Sequence, residues 1–240
     1  MTLWSQLEPL FDSVEQIYFA GGEPLLMEEH YRILNKLIDM GKTDVYLRYN
    51  TNFSIMKYKG QDVIELWKHF SNVKIDCSLD GMNHQGEYIR KGLNWQQVLT
   101  NRQRLRTQAP HVEFAINCTT SIQNAYHVVD FWHWCYTQDF IDSPDKFHVN
   151  LVQDPEWLRI SALPVHHKHA LSELYEFARD AALKVNAHNI ANDWNSAIKF
   201  MMATHEDTLD KFRTNIQLVD NLRKEDFAKT FPELEDIVCT

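Results

Sequence analysis

Apolar and polar positions alternate with a period of two in five short stretches of this chain, and with a helical period between them. Gln16–Ala20 (QIYFA), Asp44–Asn50 (DVYLRYN), Val73–Leu79 (VKIDCSL), His111–Thr119 (HVEFAINCT) and Phe147–Val152 (FHVNLV) read as strands. Between them, Glu28–Met40 places Tyr31, Leu34, Leu37 and Ile38 on one helical face and ends at Gly41. Asp62–Phe70 turns Val63, Leu66, Trp67 and Phe70 inward. A helix from Trp95 to about Gln108 follows the candidate cap Asn94 and stops before Pro110, and Asn124–Tyr136 forms an aromatic-rich helix. Strand followed by helix, repeated, implies a parallel sheet whose right-handed crossovers wind it toward a barrel or a doubly wound sheet. From about Pro164 helices follow helices, over 166–187, 190–203 and 206–223, with Trp194, Ile198, Met201 and Met202 as packing positions. The expected organisation is an α/β fold: a partial (β/α) barrel over residues 1–163 and a helical C-terminal cap over 164–240.

Strands covered on both faces read as continuous apolar runs. These do not. Val45, Leu47 and Tyr49 oppose Tyr46, Arg48 and Asn50. Val73, Ile75, Cys77 and Leu79 oppose Lys74, Asp76, Ser78 and Asp80. Phe114, Ile116 and Cys118 oppose Ala115, Asn117 and Thr119, and Phe147, Val149 and Leu151 oppose His148, Asn150 and Val152. A dry polar face would cost about 1–3 kcal/mol for each unpaired group. The polar face is therefore expected to line a wet lumen, with chemistry at the carboxyl ends of the strands. The unusual residues fall at those ends: GGEP from Gly21, NTN from Asn50, SLDG from Ser78 and NCTT from Asn117.

Composition narrows the function classes. In 240 residues, 44% are hydrophobic and 24% charged, as in an ordinary globular protein, and the net charge of −9 gives no basic footprint for nucleic acid. Arg102, Arg104 and Arg106 read as a solvated helix face. No run of about 18 apolar residues is present to span a membrane, and the start MTLWSQLEPLF lacks a signal peptide's basic and apolar regions, which points to the cytoplasm. Cys77, Cys118, Cys135 and Cys239 form no CxxC-type pair and are expected as reduced, mostly buried thiols. His166, His167 and His169 (HHKH) read as a solvated helix start open to adventitious metal only. His148, on the polar face, is the better candidate among the histidines.

In IYFAGGEPLL, Gly21 and Gly22 permit positive φ and close approach of a ligand to the backbone. Their carbonyls and Glu23 offer negative charge to a cation such as an ammonium, and Pro24 fixes the exit. The same residues suit a tight strand-to-helix turn with a carboxylate at the helix start, and on GGEP alone both readings stand.

With these motifs the chain resembles the radical S-adenosylmethionine superfamily, and among its members those with a SPASM- or twitch-type C-terminal extension. IYFAGGEPLL matches the motif that holds the methionyl ammonium. SLDG followed by EYIRKG (Glu87–Gly92) is similar to the family's fourth strand and following loop, which puts Ser78 and Arg90 on the methionyl carboxylate. Asn117 falls where a ribose contact is common, and Asp80 and Asn50 shape the lumen. PEWLRISALP (Pro155–Pro164) and LRKEDFAKTFPEL (Leu222–Leu234) are similar to parts of twitch-type members. The resemblance implies S-adenosylmethionine as cofactor, a 5′-deoxyadenosyl radical as product of its reductive cleavage, and hydrogen abstraction from a substrate such as a peptide or protein. The family's CxxxCxxC motif, which holds a 4Fe–4S cluster after its first strand, is not in this sequence. The resemblance therefore implies that the cluster's ligands and first strand belong upstream of Met1. It also implies that Gln16–Ala20 is a sheet edge, open to self-association unless Leu3, Leu7, Leu10 and Val14 cover it. A binding module for S-adenosylmethionine, another small cationic metabolite or a peptide is the alternative.

Overall fold

The computed structural model describes residues 3–203 and 207–238. Five strands form one parallel sheet in chain order: β1 (Gln16–Phe19), β2 (Tyr46–Thr51), β3 (Val73–Ser78), β4 (Glu113–Thr120) and β5 (Phe147–Leu151). Each strand is connected to the next through helix, as the alternating pattern requires. The chain divides into two compact units interleaved in sequence, Met1–Ser78 with Gln96–Ala115, and Leu79–Trp95 with Ile116–Thr240.

In the first unit the covered face of the sheet is aromatic. Tyr49 is fully buried, with Phe19 stacked at 5.0 Å and Trp67 edge-on at 5.2 Å. Its hydroxyl meets His30 Nε2 at 3.0 Å. The Glu28–Asp39 helix buries His30, Tyr31, Ile33, Leu34 and Leu37. A helix over Val63–Trp67 starts where the Asp62 carboxylate accepts from Ile64 N at 3.1 Å. The helix Trp95–Gln108 has the bounds expected from its flanking Asn and Pro. Strand β1 lies at the sheet edge, with Tyr18 51% exposed. The N-terminal segment meets the Glu28–Asp39 helix. Arg32 sits 3.7 Å over the Trp4 ring, Lys36 pairs with Glu8 at 3.5 Å, and Leu10 stays exposed. Leu7 and Val14 are half-buried, and the Leu3 side chain lies outside the described residues.

In the second unit the helices Val165–Lys184 and His188–Ala203 pack on one another, and the latter packs on β5. Tyr175 and Trp194, both fully buried, lie 5.2 Å apart, and the Tyr175 hydroxyl donates to the Ala125 carbonyl at 2.7 Å. Asp193 accepts from Val149 N at 3.1 Å, giving a backbone donor of this edge strand a partner. Met201 is buried as expected, but Met202 is 48% exposed. A third helix, Leu209–Arg223, and two short ones, Phe227–Thr230 and Glu235–Val238, complete the unit. Among the described residues no helix is long and apolar enough to cross a membrane.

Glu87–Gly92, which the resemblance implies to be loop, begins inside a helix. Asn83–Ile89 forms a helix with Arg90 as its C-terminal cap. NHQGEYI shows no apolar period and carries a glycine in the middle, so its pattern concealed the helix. The glycine is there because a Cβ at Gly86 would sit 2.4 Å from the Gly81 carbonyl oxygen.

Candidate functional site

Gly21 and Gly22 follow β1 with φ of +85° and +56°, the left-handed region that an L side chain enters only with strain. Both are exposed, and a Cβ on either would meet nothing within 4 Å. Backbone conformation, not crowding within this chain, is what calls for glycine here. Glu23 then caps a short 3-10 turn over Pro24–Leu26, with Pro24 buried at its first position.

The Glu23 carboxylate is held at three points. Oε1 accepts from the Thr51 hydroxyl at 2.6 Å and from Leu25 N at 3.2 Å, and Oε2 accepts from Asn52 N at 2.8 Å. All three donors are neutral, and no cation pairs with Glu23 among the described residues. A carboxylate offers about four lone-pair sites, so capping leaves one unused and the charge uncompensated. The turn carrying Thr51 and Asn52 is itself pinned. Phe53 N donates to Thr51 Oγ1 at 3.0 Å, and Asn101 Nδ2 donates to the Phe53 and Ser54 carbonyls at 2.9 and 3.1 Å.

Asn50 lies on the opposite face of β2 from Thr51, in register with Asp76. Asp76 is buried and takes Arg48 at 3.4 Å and Lys74 at 3.5 Å. The expected polar face is therefore real in this unit. It carries two cations against one carboxylate. Ser78, half-buried, ends β3 on that face.

In the second unit, Asp80 and Arg90 are joined. Arg90 Nε stands 2.7 Å from Asp80 Oδ2, without the alignment of a hydrogen bond. Asp80 Oδ1 accepts from Thr119 N at 2.8 Å, and its carbonyl accepts from Asn124 Nδ2 at 2.8 Å. Asp80 thus orients Arg90. Arg90 keeps about a third of its side chain exposed. Asn117 is half-buried on β4, in register with His148 of β5.

The helix that delivers Arg90 is fastened by the C-terminal segment. The Tyr88 hydroxyl donates to Asp220 at 2.7 Å, Arg223 donates to the Tyr88 carbonyl at 3.0 Å, and Phe231 meets the Tyr88 ring at 5.5 Å. Its start is fastened by His127, whose Nε2 accepts from Met82 N at 3.1 Å. Thr51, Thr119, Asn124 and His127 were not singled out from the sequence. Only NTN and NCTT hinted at the first two.

Burial lowers the His127 pKa to about 4, with Asp130 opposing and His84 adding to the shift. Unfolded, the imidazole takes a proton near its ordinary value of about 6.5. Between those values the unfolded chain binds more protons, so stability falls as pH drops. The expected loss from His127 is about 2 kcal/mol between pH 7.5 and 5, read from urea unfolding midpoints. His30, lowered to about 3 by burial, adds a loss of the same sign. His127→Gln should flatten its share of the slope; a slope identical to the parent's would refute the assignment.

The described cysteines do not make a cluster site. Cys77, Cys118 and Cys135 form no disulfide and are fully buried, and burial raises the Cys118 thiol well above its usual range. None belongs to a group of converging metal ligands among the described residues, and Cys239 lies outside them. The histidines depart from the expected solvated helix start: His167 is buried, while His166 and His169 are exposed.

The fold is similar to that of SuiB from Streptococcus suis bound to S-adenosylmethionine, with a TM-score of 0.52 and 16% identity over 76% of this chain and 40% of that one. It is also similar to native anSMEcpe with bound AdoMet and Cp18Cys peptide, with a TM-score of 0.53 and 19% identity over 76% of this chain and 52% of that one. The five-stranded parallel α/β fold is shared with these two S-adenosylmethionine-bound proteins. The chain spans about half the length of these structures or less, and at such identities the likeness is one of fold. No family model matches the chain, and no curated protein matches it.

Proposed function

We propose that the chain binds S-adenosylmethionine at the carboxyl ends of its strands, as the cofactor-binding part of a radical S-adenosylmethionine enzyme acting on a peptide. One observation carries the reading. At a turn of two exposed glycines, Glu23 is oriented by three neutral donors and met by no cation among the described residues. That arrangement suits the ammonium of a methionyl group. The Arg90 guanidinium, steadied by Asp80, suits its carboxylate. Ser78 adds a hydroxyl to the carboxylate contact, and Asn117 an amide for the ribose. Asn50 and Asp76 shape the polar face that a substrate would meet. The peptide substrate rests on the fold neighbour with a bound peptide.

The cysteines described above do not fit a 4Fe–4S cluster, so no step through a cluster is assigned to this chain. That observation favours a second reading, a module that binds S-adenosylmethionine without radical chemistry.

Calorimetry with S-adenosylmethionine tests the shared part. The parent should bind weakly, and Glu23→Gln and Arg90→Ala should each weaken binding at least about tenfold, the worth of one charge-assisted contact. Measurable parent binding with unchanged affinity in both variants would show that the pocket is assigned wrongly. Anaerobic reconstitution followed by iron and sulfide analysis separates the two readings. The chain on its own is expected to hold no stoichiometric cluster.

A further inference from the structure

A second cluster of side chains lies in the second unit, at the start of the Val165–Lys184 helix. His166 Nε2 is 3.0 Å from Asp236 Oδ2, and His167 Nε2 is 2.9 Å from Asp236 Oδ1 and 3.2 Å from Oδ2. The three ligating atoms all lie within 4.8 Å of one another. His167 is buried, and its other ring nitrogen, Nδ1, meets the Tyr126 hydroxyl at 2.8 Å. His166 and Asp236 open to solvent, with side chains 65% and 55% exposed.

We propose that His166, His167 and Asp236 bind a borderline divalent transition-metal ion, zinc foremost, which fastens the C-terminal Glu235–Val238 helix to the start of the Val165–Lys184 helix.

Imidazole nitrogen and carboxylate oxygen are the donor set that zinc and its first-row neighbours take. Bonds of about 2.0–2.2 Å at tetrahedral angles put ligand atoms on one metal roughly 3.3–3.6 Å apart. The N···O separations of 2.9–3.2 Å fall a few tenths of an ångström short of that spacing. Little movement is needed for an ion to replace the two protons now shared with Asp236. Three protein ligands and an exposed side leave room for water to complete the coordination. A metal-bound histidine usually passes its other N–H to an oxygen that fixes the ring. Tyr126 stands in that place for His167. The protons balance without an acid or base. An ionised Asp236 accepts from Nε2–H of both rings, so in the metal-free form His167 Nδ1 accepts from Tyr126. When metal occupies Nε2, each neutral ring carries its proton on Nδ1, and His167 donates to the tyrosine oxygen.

Sixty-nine residues separate His167 from Asp236, so the ion would close a long loop. That loop contains Asp220, Arg223 and Phe231, which hold Tyr88 beside Arg90. The ion would thus secure the segment that scaffolds Arg90.

The test is titration of the full chain with cobalt(II), followed by its visible d–d absorption and by displacement with zinc. One saturable equivalent is expected, with a higher melting temperature in zinc. His166→Ala and Asp236→Asn should each weaken binding at least about tenfold, in line with the loss of a ligand. His169→Ala, which removes an exposed histidine two residues from His167, should titrate as the parent does. His166 and Asp236 are exposed, so both variants should fold. Absence of a saturable cobalt band, or a parent-like titration in Asp236→Asn, overturns the proposal and leaves the cluster a hydrogen-bonded tether.

Discussion

Gly86→Ala is expected to destabilise the protein by about 3 kcal/mol, toward the upper end of what overpacking costs. The usual helix argument predicts the opposite sign. Alanine in mid-helix gains up to about 1 kcal/mol over glycine. The clash should win because the atom met at 2.4 Å is the Gly81 carbonyl oxygen, with its carbonyl carbon at 2.7 Å, and backbone cannot swing aside as a side-chain tip can. Relief would require the Asn83–Ile89 helix to move away from the turn after β3. The Leu93 side chain at 3.4 Å restricts that movement further. Arg90 ends the helix, so the same change should weaken S-adenosylmethionine binding. Urea unfolding together with calorimetry reads both effects. A variant as stable as the parent would show that the close approach of the two segments is not a constraint.

Asp80→Ala is expected to cost about 3 kcal/mol, near the lower end for breaking a buried ion pair, since Arg90 still reaches solvent. The substitution strands two groups at once. Thr119 N loses its acceptor, and the guanidinium of Arg90 loses the carboxylate that orients it. Asp80→Asn separates these contributions. Its amide oxygen can still accept from Thr119 N, so it should cost only about 1 kcal/mol, while Arg90 is released. If Asp80 positions Arg90, both variants weaken S-adenosylmethionine binding, although only the alanine variant is markedly less stable. If both lose stability equally and bind as the parent does, Asp80 has a purely structural role. Unfolding midpoints and calorimetry on the same preparations decide between these outcomes.

Much of the fold was legible in the sequence because its signals are local and periodic. Strand alternation sorted Leu47 and Tyr49 from Arg48 and Asn50 correctly, since side chains on a strand must alternate faces. It placed Cys77 and Cys118 in the core for the same reason. The Trp95–Gln108 helix was legible at both ends through its flanking residues. Where the period was weak the reading failed. NHQGEYI gave no helix signal, because a helix held in place by a glycine contact needs no apolar stripe of its own.

The candidate site was legible as a set of strand ends but not as a set of partners. GGEP offered a turn that permits positive φ and a carboxylate for either a cation or a helix start. It could not show that the donors to Glu23 are Thr51 and Asn52, 28 and 29 residues further on. Alternation even argued against Thr51, which lies on the apolar face of β2 and still turns its hydroxyl to Glu23. Asp80 and Arg90 were each singled out, yet their pairing was not. HHKH looked solvated because Asp236 lies far along the chain. By itself, then, the sequence determined the order of strands and helices, the wet and dry faces, the buried thiols and the glycine turn, all of which follow from rules spanning a few residues. The tertiary structure decided which charges are matched and by what, because those pairings, from ten residues apart for Asp80 and Arg90 to 132 for Tyr88 and Asp220, depend on how segments are brought together, and no periodic pattern encodes them.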